Sequence, residues 1–283
     1  MPPACTRRGR CYRRRAMTDL PQQLTSVPSR LGVTGRLEDG DFLMDLAPTP
    51  ETLHHGIVRA SVLTFLIDAI AGITLDQAPD VWTLTTDLSM RMLAAAAPER
   101  ATARNSILRR GGRSGSCAVE VTTSTGAPLA TGAVGFATVP RRDDDPPKPH
   151  ITPARAAQLF RGMGRLDRPL REEAGIRVLD AAAGVVEVAA TPMLRNPAGT
   201  LQGAMVALVV EVAVEELVGA RADGPVIVCD LDIRYLSKTG AGPVRSACRA
   251  LGDGPDAPVE VTLTDRSTGQ LTTHAYARAV VLP

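Results

Sequence analysis

Residues 86–93 read TDLSMRML and residues 229–236 read CDLDIRYL, two stretches that superpose without a gap at an offset of 229 − 86 = 143 positions. The offset recurs well outside them. It pairs Gly32 with Gly175, Gly56 with Gly199, Asp68 with Glu211, Asp87 with Asp230, Arg91 with Arg234 and Gly126 with Gly269. So many coincidences mark a duplicated unit, and a duplication says more about architecture than any single motif.

Each half reads in the same order: extended segments, one apolar helix, then several alternating strands. In the second half residues 175–179 and 185–190 are strand-like, 200–218 are helical and 226–236 form a strand. Residues 259–264 and 272–281 alternate with the period of two that strands require. The helix of the first half covers 59–72, RASVLTFLIDAIAG. Between the halves, 141–153 (RRDDDPPKPHITP) is charged and proline-rich, which excludes regular structure and marks a linker; a short helix over 154–160 follows. The class is α+β, and a sheet with one long apolar helix must wrap that helix to bury it. The predicted division is a tail over 1–28, a first module over 29–140, a linker and short helix over 141–165 and a second module over 166–283.

A chain of 283 residues exceeds the about 100–200 residues of a usual single core, as a duplication requires. Apolar residues at 44% and charged residues at 22% exclude a disordered composition, and with aromatics at 3% the packing falls to Ala, Val and Leu. The formal charge of +2 hides an asymmetry, because six arginines (Arg7, Arg8, Arg10, Arg13, Arg14, Arg15) precede Met17. Without them basic residues number 32 − 6 = 26 against 30 acidic ones, which is no footprint for nucleic acid. The tail lacks the apolar stretch of a secretory signal and is expected to be disordered at least to residue 16, with either Met1 or Met17 as the natural start. The longest apolar run, 201–218, carries Glu211, Glu215 and Glu216, so no membrane span is expected. Cys5, Cys11, Cys117, Cys229 and Cys248 form no CxxC pair; neither a metal site nor a disulfide framework is indicated, and a reducing, cytoplasmic setting is expected.

Both helices are apolar on nearly every face, as buried helices are. Asp68 is the only carboxylate of the first, and Glu211 sits among Val209, Val210, Val212 and Val214 in the second. A carboxylate so placed costs several kcal/mol unless paired or neutralised. Desolvation would raise its pKa, which suits a general base or nucleophile near neutral pH. The alternative, a carboxylate bonded to the backbone of a crossing strand, stays open on burial alone.

Residues 196–204 read NPAGTLQGA, with Glu211 nine positions after Gln202. This resembles the PaaI-like branch of the hotdog-fold thioesterases, whose pattern is Asn-x-x-Gly-x-x-His-Gly-Gly followed by an acid nine positions after the His. Asn196 takes the Asn place, Gln202 the His place, and Gly203 the first Gly place. The first half matches more loosely, with Leu53 on the Asn, Gly56 on the Gly, Arg59 on the His, Ala60 and Ser61 on the Gly pair, and Asp68 on the acid. Both His positions depart from the family.

The resemblance implies two tandem hotdog modules, each a long central helix wrapped by an antiparallel sheet, forming an intrachain pseudo-dimer. It implies acyl-CoA hydrolysis between them, where backbone N–H groups at one helix N-terminus polarise the thioester carbonyl and the acid comes from the other helix. Site one would combine Asn196, Gln202 and the Gly203 amide with Asp68, and a family Ser/Thr position that holds the attacking water falls on Thr85. Site two would combine Leu53, Arg59 and the Ala60 amide with Glu211, and there the Thr place is Val228. Every matching polar residue belongs to site one, so site two is expected to have decayed. No cofactor beyond the coenzyme A of the substrate is implied, and association of such pairs into homo-oligomers is left open.

Three lesser signals remain. Arg109, Arg110 and Arg113 could hold coenzyme A phosphates or form a solvated hairpin turn. His54 and His55 are expected in an exposed loop, and Cys229 as a buried inert strand thiol. Rival functions are a non-catalytic acyl-CoA binding protein, since both family His residues are missing, and a hydratase or dehydratase of the same fold, whose Asp-His pattern is absent.

Overall fold

The computed structural model describes residues 26–283 except 77, 144, 146 and 255; the basic tail, Cys5, Cys11 and Met17 lie outside them. In the N-terminal half, β1 (Val33–Glu38) and β2 (Asp41–Leu46) form a hairpin. The short pair β3 (Leu53–His54) and β4 (Ile57–Val58) leads into α1 (Ala60–Leu75), followed by β5 (Val81–Met92), β6 (Ala101–Arg110), β7 (Ser114–Thr123) and β8 (Pro128–Pro140). After α2 (Pro153–Leu159) and α3 (Leu170–Glu173), the C-terminal half runs β9 (Arg177–Asp180), β10 (Val185–Val188), α4 (Gly203–Gly219), β11 (Val226–Tyr235), β12 (Val244–Ala250), β13 (Val259–Asp265) and β14 (Gln270–Val281).

Twelve of these strands make one antiparallel sheet, ordered β1-β2-β6-β7-β8-β5-β11-β14-β13-β12-β10-β9. Read inward from either edge, the sequence of equivalents is the same, and the halves meet at β5 and β11. That junction is the TDLSMRML/CDLDIRYL pair itself. Asp87 pairs with Arg234 and Arg91 with Asp230, symmetrically about Ser89 and Asp232, which are themselves related by the offset (232 − 89 = 143). A ladder in which residue i meets j and the copy of j meets the copy of i is the isologous contact of a two-fold pair, here inside one chain. The charges are less symmetric: Arg91 Nε reaches across the junction to within 3.7 Å of an Asp230 oxygen, whereas Arg234 Nη1 stands 2.7 Å from an oxygen of Asp232 on its own strand.

Helix α1 packs on β2 and β5–β8, α4 on β10–β14, and the two helices touch each other. Sheet on one side and a partner helix on the other explain their all-round apolarity: Val62, Leu63, Leu66, Ile67 and Ile70 are fully buried, as are Leu208, Val210, Val212 and Val214. The repeated glycines have a backbone reason. Gly56 and Gly199 lie at φ +76° and +79° in the turns before the helices, a region closed to most residues with a Cβ.

Both central strands also break register at equivalent points, β5 against β8 between Thr85 and Asp87, and β11 against β14 between Val228 and Asp230. The extra residue reverses the phase of the pleat. Leu88 and Met90 face the helix from one side of the bulge and Thr85 from the other, which strict alternation does not allow. Some expected boundaries shift. Helix α4 begins at Gly203 rather than at 200, because the Gln202 side chain caps it, and β9 begins at Arg177 rather than at 175. Among its described residues the linker has no regular structure before α2, which begins at Pro153 rather than at 154, yet it lines the site described next.

Candidate active site

Both helix N-termini face the carboxylate on the other helix, and the two encounters differ. At α1 the acid closes the helix end. Ala60 N–H donates to Glu211 Oε1 at 2.8 Å, Ser61 N–H to Oε2 at 3.3 Å and the Ser61 hydroxyl to Oε2 at 2.5 Å. The next two amides, of Val62 and Leu63, reach the Arg59 carbonyl. Every amide of the first turn is therefore occupied, as a buried helix end requires.

Charge balance is kept by Arg59, which is 5% exposed. Its Nη1 lies 3.3 Å from Glu211 Oε2 and 3.2 Å from both oxygens of Glu215. Burial, with the Glu211 charge beside it, pushes Glu215 up to about 8, against the pull of Arg59. His54 is not an exposed loop residue: its Nε2 lies 3.5 Å from Glu215, and burial together with the Arg59 charge pulls its pKa down to about 3.

At α4 the end stays open. Gln202 turns its carboxamide oxygen back to accept from Ala204 N–H at 2.6 Å, and Met205 and Val206 amides reach the Gln202 carbonyl. Among the described residues nothing accepts from Gly203 N–H. Asp68 comes across from α1 but is one methylene shorter than Glu211. Its Oδ1 accepts from the Thr85 hydroxyl at 2.7 Å, and its Oδ2 lies 3.1 Å from where a Cβ on Gly203 would be. Burial raises the Asp68 pKa to about 6, with the Thr85 hydrogen bond acting against the rise. The carboxylate is deep yet borders a cavity of about 990 Å³ that Thr85, Gln202 and Gly203 also line.

Asn196 lines that cavity too, but its Oδ1 accepts from Thr200 N–H at 3.2 Å, and among the described residues it makes no hydrogen bond to Asp68. Its position serves the loop that presents α4. Arg109, Arg110 and Arg113 do not line the cavity; they flank the β6–β7 turn, where Arg110 Nη2 donates to the Thr74 carbonyl at 3.2 Å. Cys229 is the bulge residue of β11, its thiol pushed up by burial and by neighbouring Asp230. Among the described residues no group of three His, Cys, Asp or Glu is placed to hold a metal ion, and no helix is long and apolar enough to cross a membrane.

Tyr235 was missed from the sequence. Its hydroxyl donates to the Gly203 carbonyl at 3.2 Å, and burial, with the Asp68 charge nearby, holds its pKa well above the usual value. The signal available was the offset itself, which sets Tyr235 against Met92: a hydroxyl appears where the other half has a thioether.

No protein-family model matches the chain, and no curated protein does. Solved structures do. A candidate thioesterase II from Thermobifida fusca YX is 18% identical, with a TM-score of 0.59 over 92% of this chain and 98% of that one. A tesB protein from Mycobacterium avium subspecies paratuberculosis is 11% identical, with a TM-score of 0.62 over 91% and 98%. A conserved protein of unknown function with hot dog fold from Alicyclobacillus acidocaldarius is 10% identical, with a TM-score of 0.55 over 92% and 98%. At such identities the likeness is one of architecture, and the chain has the hotdog fold.

Proposed function

We propose that this chain is an acyl-CoA thioesterase of PaaI-like type, built as two tandem hotdog modules (29–140 and 166–283) with a single hydrolytic site between them. The observation that carries the reading is Asp68, half-buried with a pKa raised by desolvation, beside the Gly203 N–H at the start of α4, for which no acceptor is found among the described residues. The name of one of the structural neighbours, a candidate thioesterase II, agrees with it.

The chemistry follows from the placement. The Asp68 carboxylate takes a proton from a water as that water attacks the thioester carbonyl carbon, while the Thr85 hydroxyl holds the carboxylate in place. Negative charge develops on the carbonyl oxygen, where Gly203 N–H and the positive end of α4 stabilise it. Collapse breaks the C–S bond, and the departing thiolate recovers the proton from Asp68. At the other interface Glu211 already occupies the place of that oxyanion, so no thioester enters. The test is release of free coenzyme A from a panel of acyl-CoAs, followed with a thiol reagent. Turnover supports hydrolysis; tight binding without turnover would make the chain an acyl-CoA binding protein instead.

A further inference from the structure

The linker does more than join the halves. The Lys148 side chain, 4% exposed, donates to Asp76 at the end of α1 and to the carbonyls of Ala78 and Val81 at 2.7 Å each, with its Nζ 5.8 Å from the Trp82 ring centroid. Asp145 accepts from Trp82 Nε1–H at 3.2 Å and stands 3.9 Å from Lys238 in the C-terminal half. Pinned in this way, the linker brings Pro147, Pro149 and Ile151 into the wall of the cavity.

The helix side of the same cavity is Phe65, Asp68, Ala69, Gly72, Ile73 and Asp76, one face of α1 at helical spacing. From Asp68 to Asp76 is 76 − 68 = 8 residues, roughly 12 Å of helix rise, the reach of a tail of about ten carbons. Between those two carboxylates the face is apolar, and two of its residues are small. Glycine within a helix is disfavoured, so Gly72 calls for a reason. Packing does not supply one: a Cβ there would meet only the Phe136 ring, at an ordinary 3.8 Å. The space that Gly72 leaves belongs to the cavity.

Resting on the thioesterase reading, we infer that the acyl chain lies along α1 from Asp68 toward Trp82, with the linker as its outer wall. Gly72 and the linker residue Ile151 then set the length accepted, and the substrate class is a medium-chain acyl thioester rather than a short or polar one. Apolar burial along such a trough grows with each methylene.

The experiment compares kcat/KM for butyryl-CoA, decanoyl-CoA and dodecanoyl-CoA in the full chain and in Gly72→Ala, Gly72→Leu and Ile151→Ala, the ratio below being decanoyl-CoA over butyryl-CoA. The ratio within one variant does not depend on how much of it is folded, and Gly72→Ala is a change that an α-helix favours. The wild-type ratio exceeds one, falls several-fold in Gly72→Ala and by about tenfold or more in Gly72→Leu, and in Ile151→Ala preference moves toward dodecanoyl-CoA. A wild-type chain that hydrolyses butyryl-CoA in preference to decanoyl-CoA, or ratios equal in all four proteins, overturns the inference while leaving a thioesterase. Absence of turnover on every acyl-CoA overturns the thioesterase reading beneath it.

Discussion

Across the seam between the two helices, Asp68 Oδ2 stands 3.1 Å from the point where Gly203 would carry a β-carbon, and the Tyr235 hydroxyl lies 3.2 Å from that same point. The missing side chain is therefore the gap through which the acid reaches the open helix end. Gly203→Ala should fill it. Alanine suits a first helical turn, so the variant is expected to fold, while its methyl group displaces Asp68 or the bound carbonyl by a few tenths of an ångström or more. A loss of about 10²-fold in kcat/KM is expected, with the melting temperature little changed, because misplacement on that scale is costly to catalysis. Steady-state kinetics beside a thermal melt would show it; full activity in a folded Gly203→Ala protein would mean that nothing reacts at this point.

Asp68→Asn separates function from stability. With no base, hydrolysis should fall by about 10³-fold. Stability should move the other way. A carboxyl whose folded pKa of about 6 exceeds its ordinary 3.8 costs stability once it ionises, so the chain loses stability as pH rises from about 3.8 to 6 and carries the whole penalty above that. The neutral amide escapes this penalty and should stabilise the protein at pH 8 by about 2 kcal/mol, and not at all near pH 3.5. Melts of the two proteins across that range check both the sign and the window.

The same carboxyl sets the acid limb of the rate profile. Activity should fall with unit slope as pH drops through about 6, where Asp68 takes up its proton. The Thr85 hydroxyl works against the rise caused by burial, so Thr85→Val should carry the limb to higher pH as well as lowering the plateau. A Thr85→Val profile whose limb stays in place would show that Asp68 is not the group being titrated.

How much of this was legible beforehand depends on which interactions are periodic. The 143-residue offset lay open in the sequence, and with it two like modules; that the repeated strands β5 and β11 pair with each other is seen only in the structure, because every strand of a duplicated unit has a copy. Asp68 could be named from its place in an apolar helix, and Thr85, Gln202 and Gly203 from the resemblance to the hotdog thioesterase pattern; all four line one cavity. Three further things could not be read. The bulge that turns Thr85 inward comes from an inserted residue with no composition of its own. The capping of α4 by Gln202 and of the loop by Asn196 depends on side-chain torsions. The linker has no counterpart to be compared with, so the contacts of its Asp145 and Lys148 with Trp82 left no trace in the repeat.

Glu211 tests the asymmetry from the other side. It accepts from two amides and a hydroxyl at the start of α1 and shares Arg59 with Glu215, all within the interior. Glu211→Ala removes those acceptors together, leaving Ala60 N–H and Ser61 N–H unpaired and Arg59 with one carboxylate instead of two. Removing one partner of a buried ion pair typically costs about 3–5 kcal/mol, so a large fall in melting temperature is expected at pH 7. Glu215 should respond as well, because the Glu211 charge is one of the causes that raise its pKa; in the variant it becomes a stronger acid and pairs more fully with Arg59, which returns part of the loss. Hydrolysis per folded molecule, measured well below the melt, should stay within about twofold of wild type, as for two sites that do not share partners. A collapse of kcat/KM in folded Glu211→Ala protein, with Asp68→Asn still active, would exchange the two interfaces: Glu211 would be the working acid and Asp68 the structural one.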